Sequence, residues 1–384
     1  MFKNIVEFKN FQLNRKINSK KLYRILSSLK HQNNNNLLKS LSKSYNYSFK
    51  KKTLNKFRKE KTFKIIGMGG SILGAEAIYS FLKCKKKFYF INNLQNDLRL
   101  DKKTKSINII ISKSGNTLET ISNINLYLKK KDKNIIITEK KNNYLFKLAN
   151  KLKCEIIEHN NFIGGRYSVL SEVGMVPAVL MGFDEKKFKQ YDNLIKNKYF
   201  INKLVQNVGC LIHLCKNKHN SIILNYDEYS DNFFKWYQQL VAESLGKKSK
   251  GIFPIISTMP KDNHSVMQLY LDGFKNNFFT IFYCKEKFSQ KLNKNKLLET
   301  YKYLGSQSIN NILFNQKSAT EKVFKLKNIP FRSFEIRKRN EKTLGELFCY
   351  FILETILLGR ALNINPFDQP SVELIKEETK KLFF

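Results

Sequence analysis

The sequence predicts an α/β protein with two domains, each a mainly parallel sheet covered by helices on both faces. Two observations carry this. From residue 62 onward, apolar strand-like runs alternate with helical patterns, the arrangement that yields parallel sheets buried on both sides. The alternation then pauses for a helical stretch from about 172 to 218 and resumes.

Taken in order, the first 60 residues read as a helical and loop segment. "FKIIGMGG" reads as a buried strand ending in a glycine turn, and "SILGAEAIYSFL" as a helix with Ser71 near its N-cap. "KFYFINN" and "INIIISKSG" are strands, "NTLETISNINLYLKK" a helix, "NIIITEK" a strand, "NYLFKLANKL" a helix and "CEIIEH" a strand. After the helical stretch come strand "SIILNY", helix "DNFFKWYQQLVAESLGKK", strand "GIFPIIST", helix "HSVMQLYLDG", and strands "FFTIFYC" and "FRSFEIR". A long apolar helix, "LGELFCYFILETILLGRAL", precedes the end. The expected division is 1–60 as the N-terminal segment, 61–170 as the first domain, 171–340 as linking helices and the second domain, and 341–384 as C-terminal helices packing back.

Composition excludes several classes. With 384 residues and 42% hydrophobic content, the chain is long and apolar enough to bury two cores. Its longest apolar run, Val173 to Phe183, is about half a membrane span, and the N-terminal stretch lacks an apolar signal core. The expectation is a cytoplasmic protein without a membrane partner. The six cysteines, at 84, 154, 210, 215, 284 and 349, are scattered without CxxC spacing and are not read as a zinc site, so no metal is expected. The net charge of +39 invites a nucleic-acid partner. Lysine, however, is spread throughout together with Asn and Ile, residues that AT-rich codons supply, so no nucleic-acid role is expected.

Two turns are candidate anion sites. In "GMGGSILG", glycines let backbone N–H groups approach an anion at a helix start. The dinucleotide fingerprint fails because its third glycine position is Ile72, and no Gly-Lys-Ser/Thr follows for a P-loop. A tight structural turn and a phosphate cradle both remain open there. In "SKSGNTLET", Ser112, Lys113, Ser114, Asn116 and Thr117 crowd donors at the next strand-to-helix turn, more than one N-cap needs. Neither turn carries an obvious magnesium-binding carboxylate, which favours a phosphorylated metabolite over a nucleotide triphosphate.

Acid–base candidates lie further along. Glu243 sits in the last turns of an apolar helix ending at Gly246, where Leu240, Val241 and Leu245 offer a desolvating environment for a general base. His264 stands at a loop-to-helix start and suits proton exchange near neutral pH. Gln369 and Lys376 are seven residues apart, about two turns of one helix face. Each has an ordinary structural alternative: a surface glutamate, a capping histidine, a solvated lysine.

Together with "GGRYSVLSEVG", these motifs occur in an order that resembles the glucose-6-phosphate isomerase family. The resemblance runs from about Ile65 to Lys376. It implies two sugar-isomerase (SIS) domains of α/β/α sandwich type, a homodimer with shared sites, and no cofactor. It also implies reversible isomerisation of D-glucose 6-phosphate and D-fructose 6-phosphate through an enediolate, in glycolysis and gluconeogenesis. By the same resemblance Gly70, Ser71, Ser112, Lys113, Ser114 and Thr117 would hold the sugar phosphate, and Glu243 would carry the proton. His264, supplied by the partner subunit, and Lys376 would open the ring, Gln369 would contact substrate, and Arg166 would stand beside the enediolate. A guanidinium carries a fixed charge and needs no reorganisation when negative charge develops on oxygen. The glycine pair before Arg166 is expected to let the backbone bring it close. Asn116 and Leu118 depart from the threonines usual in bacterial members. Rival readings are an isomerase that also accepts mannose 6-phosphate and a non-catalytic sugar-phosphate-binding protein.

Overall fold

The structure is a computed structural model and describes residues 6–12, 19–31, 36–95, 106–129 and 132–383. Ten strands form two five-stranded sheets among these residues. The strands are β1 (Val6–Lys9), β2 (Thr62–Gly67), β3 (Lys87–Ile91), β4 (Ile107–Ile111) and β5 (Lys133–Thr138). They continue with β6 (Glu155–Glu158), β7 (Asn220–Asn225), β8 (Phe253–Thr258), β9 (Asn277–Cys284) and β10 (Phe331–Ile336).

The first sheet has the order β3-β2-β4-β5-β6 and is parallel throughout. Its central strands β2 and β4 are buried at every position, which explains why "FKIIG" and "INIII" read as dense apolar runs, each broken by one polar residue, Lys64 or Asn108, rather than as alternating ones. The second sheet has the order β1-β10-β9-β7-β8 and is parallel except at β1.

β1 departs from the expected helical and loop N-terminal segment. It pairs antiparallel with β10, setting Val6 against Ile336 and Phe8 against Phe334. The Phe8 and Phe334 rings stack at 4.5 Å. Val6 and Phe8 are buried while Lys9 is exposed, the period-two pattern of an edge strand. Four residues are too few for that pattern to stand out in sequence.

The helices used below are α1 (Ser19–His31), α2 (Lys51–Arg58), α3 (Leu73–Phe81), α4 (Leu118–Tyr127), α5 (Tyr144–Leu152), α6 (Glu172–Met181) and α7 (Lys198–Leu214). After them come α8 (Asp231–Leu245), α9 (Met267–Asp272), α10 (Ile309–Leu326), α11 (Glu341–Ala361) and α12 (Ser371–Lys381). The sequence reading passed over α10; parallel strands β9 and β10 require a crossover, and α10 supplies it. α3 packs against both α8 and α6, while α11 packs on α1, α7 and α8. One continuous apolar core therefore runs from the first sheet (Phe63, Ile109) through these helices to the second (Phe282, Phe334). α11 lies inside this core; α12 has no buried residue. The C-terminal segment expected to pack back does so only in its first helix.

Candidate functional site

β2 and β4 are neighbours, and their last residues, Gly67 and Ile111, are register partners. The turns that follow them thus leave the sheet side by side, at the carboxyl ends of adjacent parallel strands where α/β sheets bind ligands. Gly69–Ser71 forms a 3-10 turn, and Ile72 rather than Ser71 occupies the cap position of α3. Gly70 is required by packing: a Cβ there would fall 2.2 Å from the carbonyl carbon of Gly165. The Ser168 hydroxyl donates to the carbonyl oxygens of Gly165 at 2.7 Å and Gly70 at 3.3 Å. Cβ atoms added at Gly164 and Gly165 would meet only ordinary contacts, at 3.6 and 3.9 Å. The close approach that positions Arg166 therefore depends on Gly70, not on the glycine pair.

The second turn keeps its hydroxyls together. Ser112 Oγ and Thr117 Oγ1 share a hydrogen bond of 2.8 Å, and the Gly115 N–H donates to Ser112 Oγ at 3.2 Å. Gly115 has φ of +68°, and a Cβ would collide with Asn143 Oδ1 at 2.0 Å. Thr117 stands at the N-cap of α4, yet its side chain makes no capping bond. Capping thus does not account for this group of hydroxyls. Asn116 is structural, its Oδ1 accepting from the Tyr144 N–H at 2.9 Å. Lys113 Nζ donates to the Asn161 carbonyl at 2.7 Å and lies 3.9 Å from Glu139. It ties the turn to the loop entering Gly164. Burial pushes its ammonium pKa down, and Glu139 opposes that.

Arg166 joins the pieces. Its side chain is 2% exposed. Nε donates to Ser244 Oγ at 2.8 Å, and Nη1 to Glu243 Oε2 at 3.3 Å and to Gln369 Oε1. Nη2 donates to the carbonyls of Pro366 at 2.7 Å and Asp368 at 3.0 Å. A guanidinium has five N–H donors, so every one is engaged. Tyr167 reinforces the same contact, its hydroxyl bonding Ser244 Oγ at 2.8 Å and the Pro366 carbonyl at 2.9 Å.

Glu243 lies on the face of α8 turned toward this arginine, one-quarter exposed. Leu240, Val241 and Leu245 are buried and anchor the helix; Leu240, three residues before Glu243, lies on the neighbouring part of the same face. Gln239, one helical turn earlier, donates from Nε2 to Glu243 Oε1 at 2.8 Å. Its own Oε1 is buried and has no hydrogen-bond partner among the described residues. The same Nε2 is 2.8 Å from where a Gly69 Cβ would sit. The site therefore links the first glycine turn, Gln239, Glu243, Arg166 and Gln369. Gln239, Ser244 and Tyr167 were not singled out from sequence; the i, i+4 spacing of Gln239 and Glu243 was the available signal.

His264 and Lys376 are not brought to this cluster. His264 ends the 3-10 turn Lys261–His264 after β8, and its side chain is exposed. Lys376 Nζ points to Glu373 at 2.7 Å on the exposed helix α12. Among the described residues, no group of three or more His, Cys, Asp or Glu is placed to hold a metal ion. No helix among them is long and apolar enough to cross a membrane.

Comparison with known proteins gives the family. A family model described as phosphoglucose isomerase matches residues 33–258. The chain is 34% identical to the glucose-6-phosphate isomerase of Methanocaldococcus jannaschii, over 83% of this chain and 82% of that one. It is 31% identical to that of Campylobacter jejuni, over 82% and 84%. Among solved structures, a hypothetical protein from Thermus thermophilus superposes with a TM-score of 0.81 at 22% identity, covering 95% and 94%. A glucose-6-phosphate isomerase from Chlamydia trachomatis superposes with a TM-score of 0.66 at 21% identity, covering 86% and 71%. These likenesses support the fold. The chain belongs to the phosphoglucose isomerase family.

Proposed function

We propose that this chain interconverts D-glucose 6-phosphate and D-fructose 6-phosphate, with Glu243 as the proton carrier. The observation that carries the reading is the contact of a buried, fully bonded arginine with a three-quarters-buried carboxylate beside two turns rich in anion donors. Ser112, Ser114 and Thr117 offer hydroxyls to the phosphate, Lys113 offers charge, and the Gly70–Ser71 backbone approaches from the neighbouring turn.

His264 and Lys376 serve ring opening in this reading. In the open-chain aldose, Glu243 removes the proton on C2 and negative charge moves onto O1. Arg166 stabilises that charge where little water competes. Glu243 then returns the proton to C1 while the O2 hydroxyl proton passes to O1, leaving a ketone at C2. Both Nη1 donors of Arg166 already serve Glu243 and Gln369. A substrate oxygen gains Arg166 by displacing one of them, and the displaced carboxylate is freed to take the proton. The orphan Oε1 of Gln239 suits a substrate hydroxyl.

A homodimer belongs to the same proposal. His264 and Lys376 are exposed in the single chain, and α12 and its end present Leu374, Ile375, Leu382 and Phe383 to solvent. A second copy covering this face and lending His264 would complete the site. Cytoplasmic residence, with glycolysis and gluconeogenesis as the setting, accords with six free thiols.

The test is conversion of fructose 6-phosphate to glucose 6-phosphate by purified protein in chelator-containing buffer, with Glu243→Gln alongside. Conversion by wild type and a loss of about 100-fold or more in the variant is expected. Sugar-phosphate binding by wild type without turnover would overturn the reading in favour of a binding protein.

A further inference from the structure

A second cavity, of about 1240 Å³, opens behind the turn that carries Arg166 and has no part in the reaction above. Three stretches far apart in sequence line it: 43–51, 185–193 and 338–342. Seven lysines line it against two carboxylates, Glu185 and Glu341. Those carboxylates are already engaged, Glu185 with Lys51 at 2.8 Å and Glu341 with Lys187 at 4.0 Å. Lys43, Lys186 and Lys338 line the cavity with no ion pair among the described residues, and Lys342 lines it one helical turn from the buried Glu346 carboxylate, whose pKa burial raises and Lys342 lowers. The chain's general excess of lysine explains ammonium groups on a surface. It does not explain why four lysines from three segments line one concavity, where low-dielectric walls focus their field.

The floor is built rather than incidental. Lys189 is buried, and its ammonium donates to the carbonyls of Ser40 and Leu170. It also lies 4.7 Å from the ring centroids of both Tyr45 and Tyr47. Leu170 closes the 3-10 turn Gly165–Leu170, so the floor is bonded to the segment that holds Arg166. The Tyr47 and Phe49 rings pack 4.8 Å apart beside it, and the Tyr47 hydroxyl is buried without a hydrogen-bond partner among the described residues.

We infer that this cavity is a binding site for a small anion carrying two or more phosphate groups. One phosphate monoester would leave most of this volume empty. A di- or triphosphate reaches several of the ammonium groups at once through charge-assisted hydrogen bonds. The site is distinct from the turn 112–117, whose hydroxyls suit a single phosphate.

Inorganic tripolyphosphate is the probe, titrated calorimetrically into the full chain at about 0.15 M salt, where surface charge is screened beyond about 8 Å. One equivalent is expected to bind wild type. Lys186→Glu with Lys338→Glu should weaken it at least 10-fold. Lys294→Glu with Lys296→Glu makes the same charge change on exposed lysines outside the cavity and should leave it within 2-fold. Equal weakening by both pairs would reduce the effect to overall charge and overturn the proposal. Binding unaffected by either pair would place the anion elsewhere, including the 112–117 turn, and would overturn it equally.

Discussion

Around Arg166, segments near residues 70, 166, 243 and 368 meet, and all five guanidinium protons find acceptors. His264 and Lys376 stand in solvent, and among the described residues the lysine pairs only with a neighbour on its own helix. The two regions answer different physical demands. A buried cation is stable only with its donors satisfied, so one chain must finish its surroundings as it folds. In the proposed reading His264 and Lys376 exchange protons with a ring oxygen, and such groups need no enclosure before substrate arrives. They can be left for a second surface to cover.

That contrast can be broken most forcefully at the arginine. Arg166→Ala leaves the carbonyls of Pro366 and Asp368, and Glu243, without their shared donor. We expect turnover to fall about 1000-fold, in the range of a lost oxyanion donor. We also expect faster hydrogen exchange across residues 362–370. Unchanged exchange there would show that Arg166 does not clamp the segment.

At the other region the effect should be on rate alone. His264→Ala is expected to lower isomerisation about 100-fold while leaving the unfolding midpoint unmoved, since the side chain is exposed. Co-expression with Glu243→Gln should then restore part of the activity, because a mixed dimer carries one intact site. Absence of any recovery would place both residues in one chain's site.

Glu76 sharpens the comparison from a third position. It is 7% exposed on α3, and its carboxylate accepts one hydrogen bond, from Asn92 at 2.7 Å. Burial pushes its pKa up to about 7, with Lys235 opposing. Between the unfolded value near 4.5 and about 7 the folded state holds the extra proton. Stability therefore falls as pH rises through that window, by about 3 kcal/mol if no other group intervenes. Glu76→Gln should lose this fall, which urea unfolding at pH 5 and pH 8 would read. A parallel pH dependence in the variant would refute the assignment. The smallest expected effect is at Gly70→Ala, where forcing apart the 70–165 contact should cost about 1–3 kcal/mol. A variant as stable as wild type would mean that the loop relaxes freely.

Much of the fold was legible because it rests on local pattern. β2, β4 and β9 are buried throughout and read as mainly apolar runs. β1 and α10 were missed for opposite reasons: four residues carry too little periodicity, and α10 buries only Lys317, Glu321 and Phe324, so its apolar stripe is faint. At the site, the residue types were legible from motif order, whereas Gln239, Ser244 and Tyr167 were not. Their roles come from which atoms they meet, and no spacing rule reports that.

The sequence by itself determined an α/β chain of this family with two anion-ready turns and one arginine behind a glycine pair. Those features are written in strand periodicity, glycine placement and residue type, all of which act over a few residues. Only the tertiary structure decided that Gly70 sets the approach of Arg166. The same is true of the shared proton donors of Arg166, the hold of Gln239 on Glu243, and the exposure of Lys376. Each of these is a contact between segments tens to hundreds of residues apart, and such contacts exist only once the sheets and helices have packed.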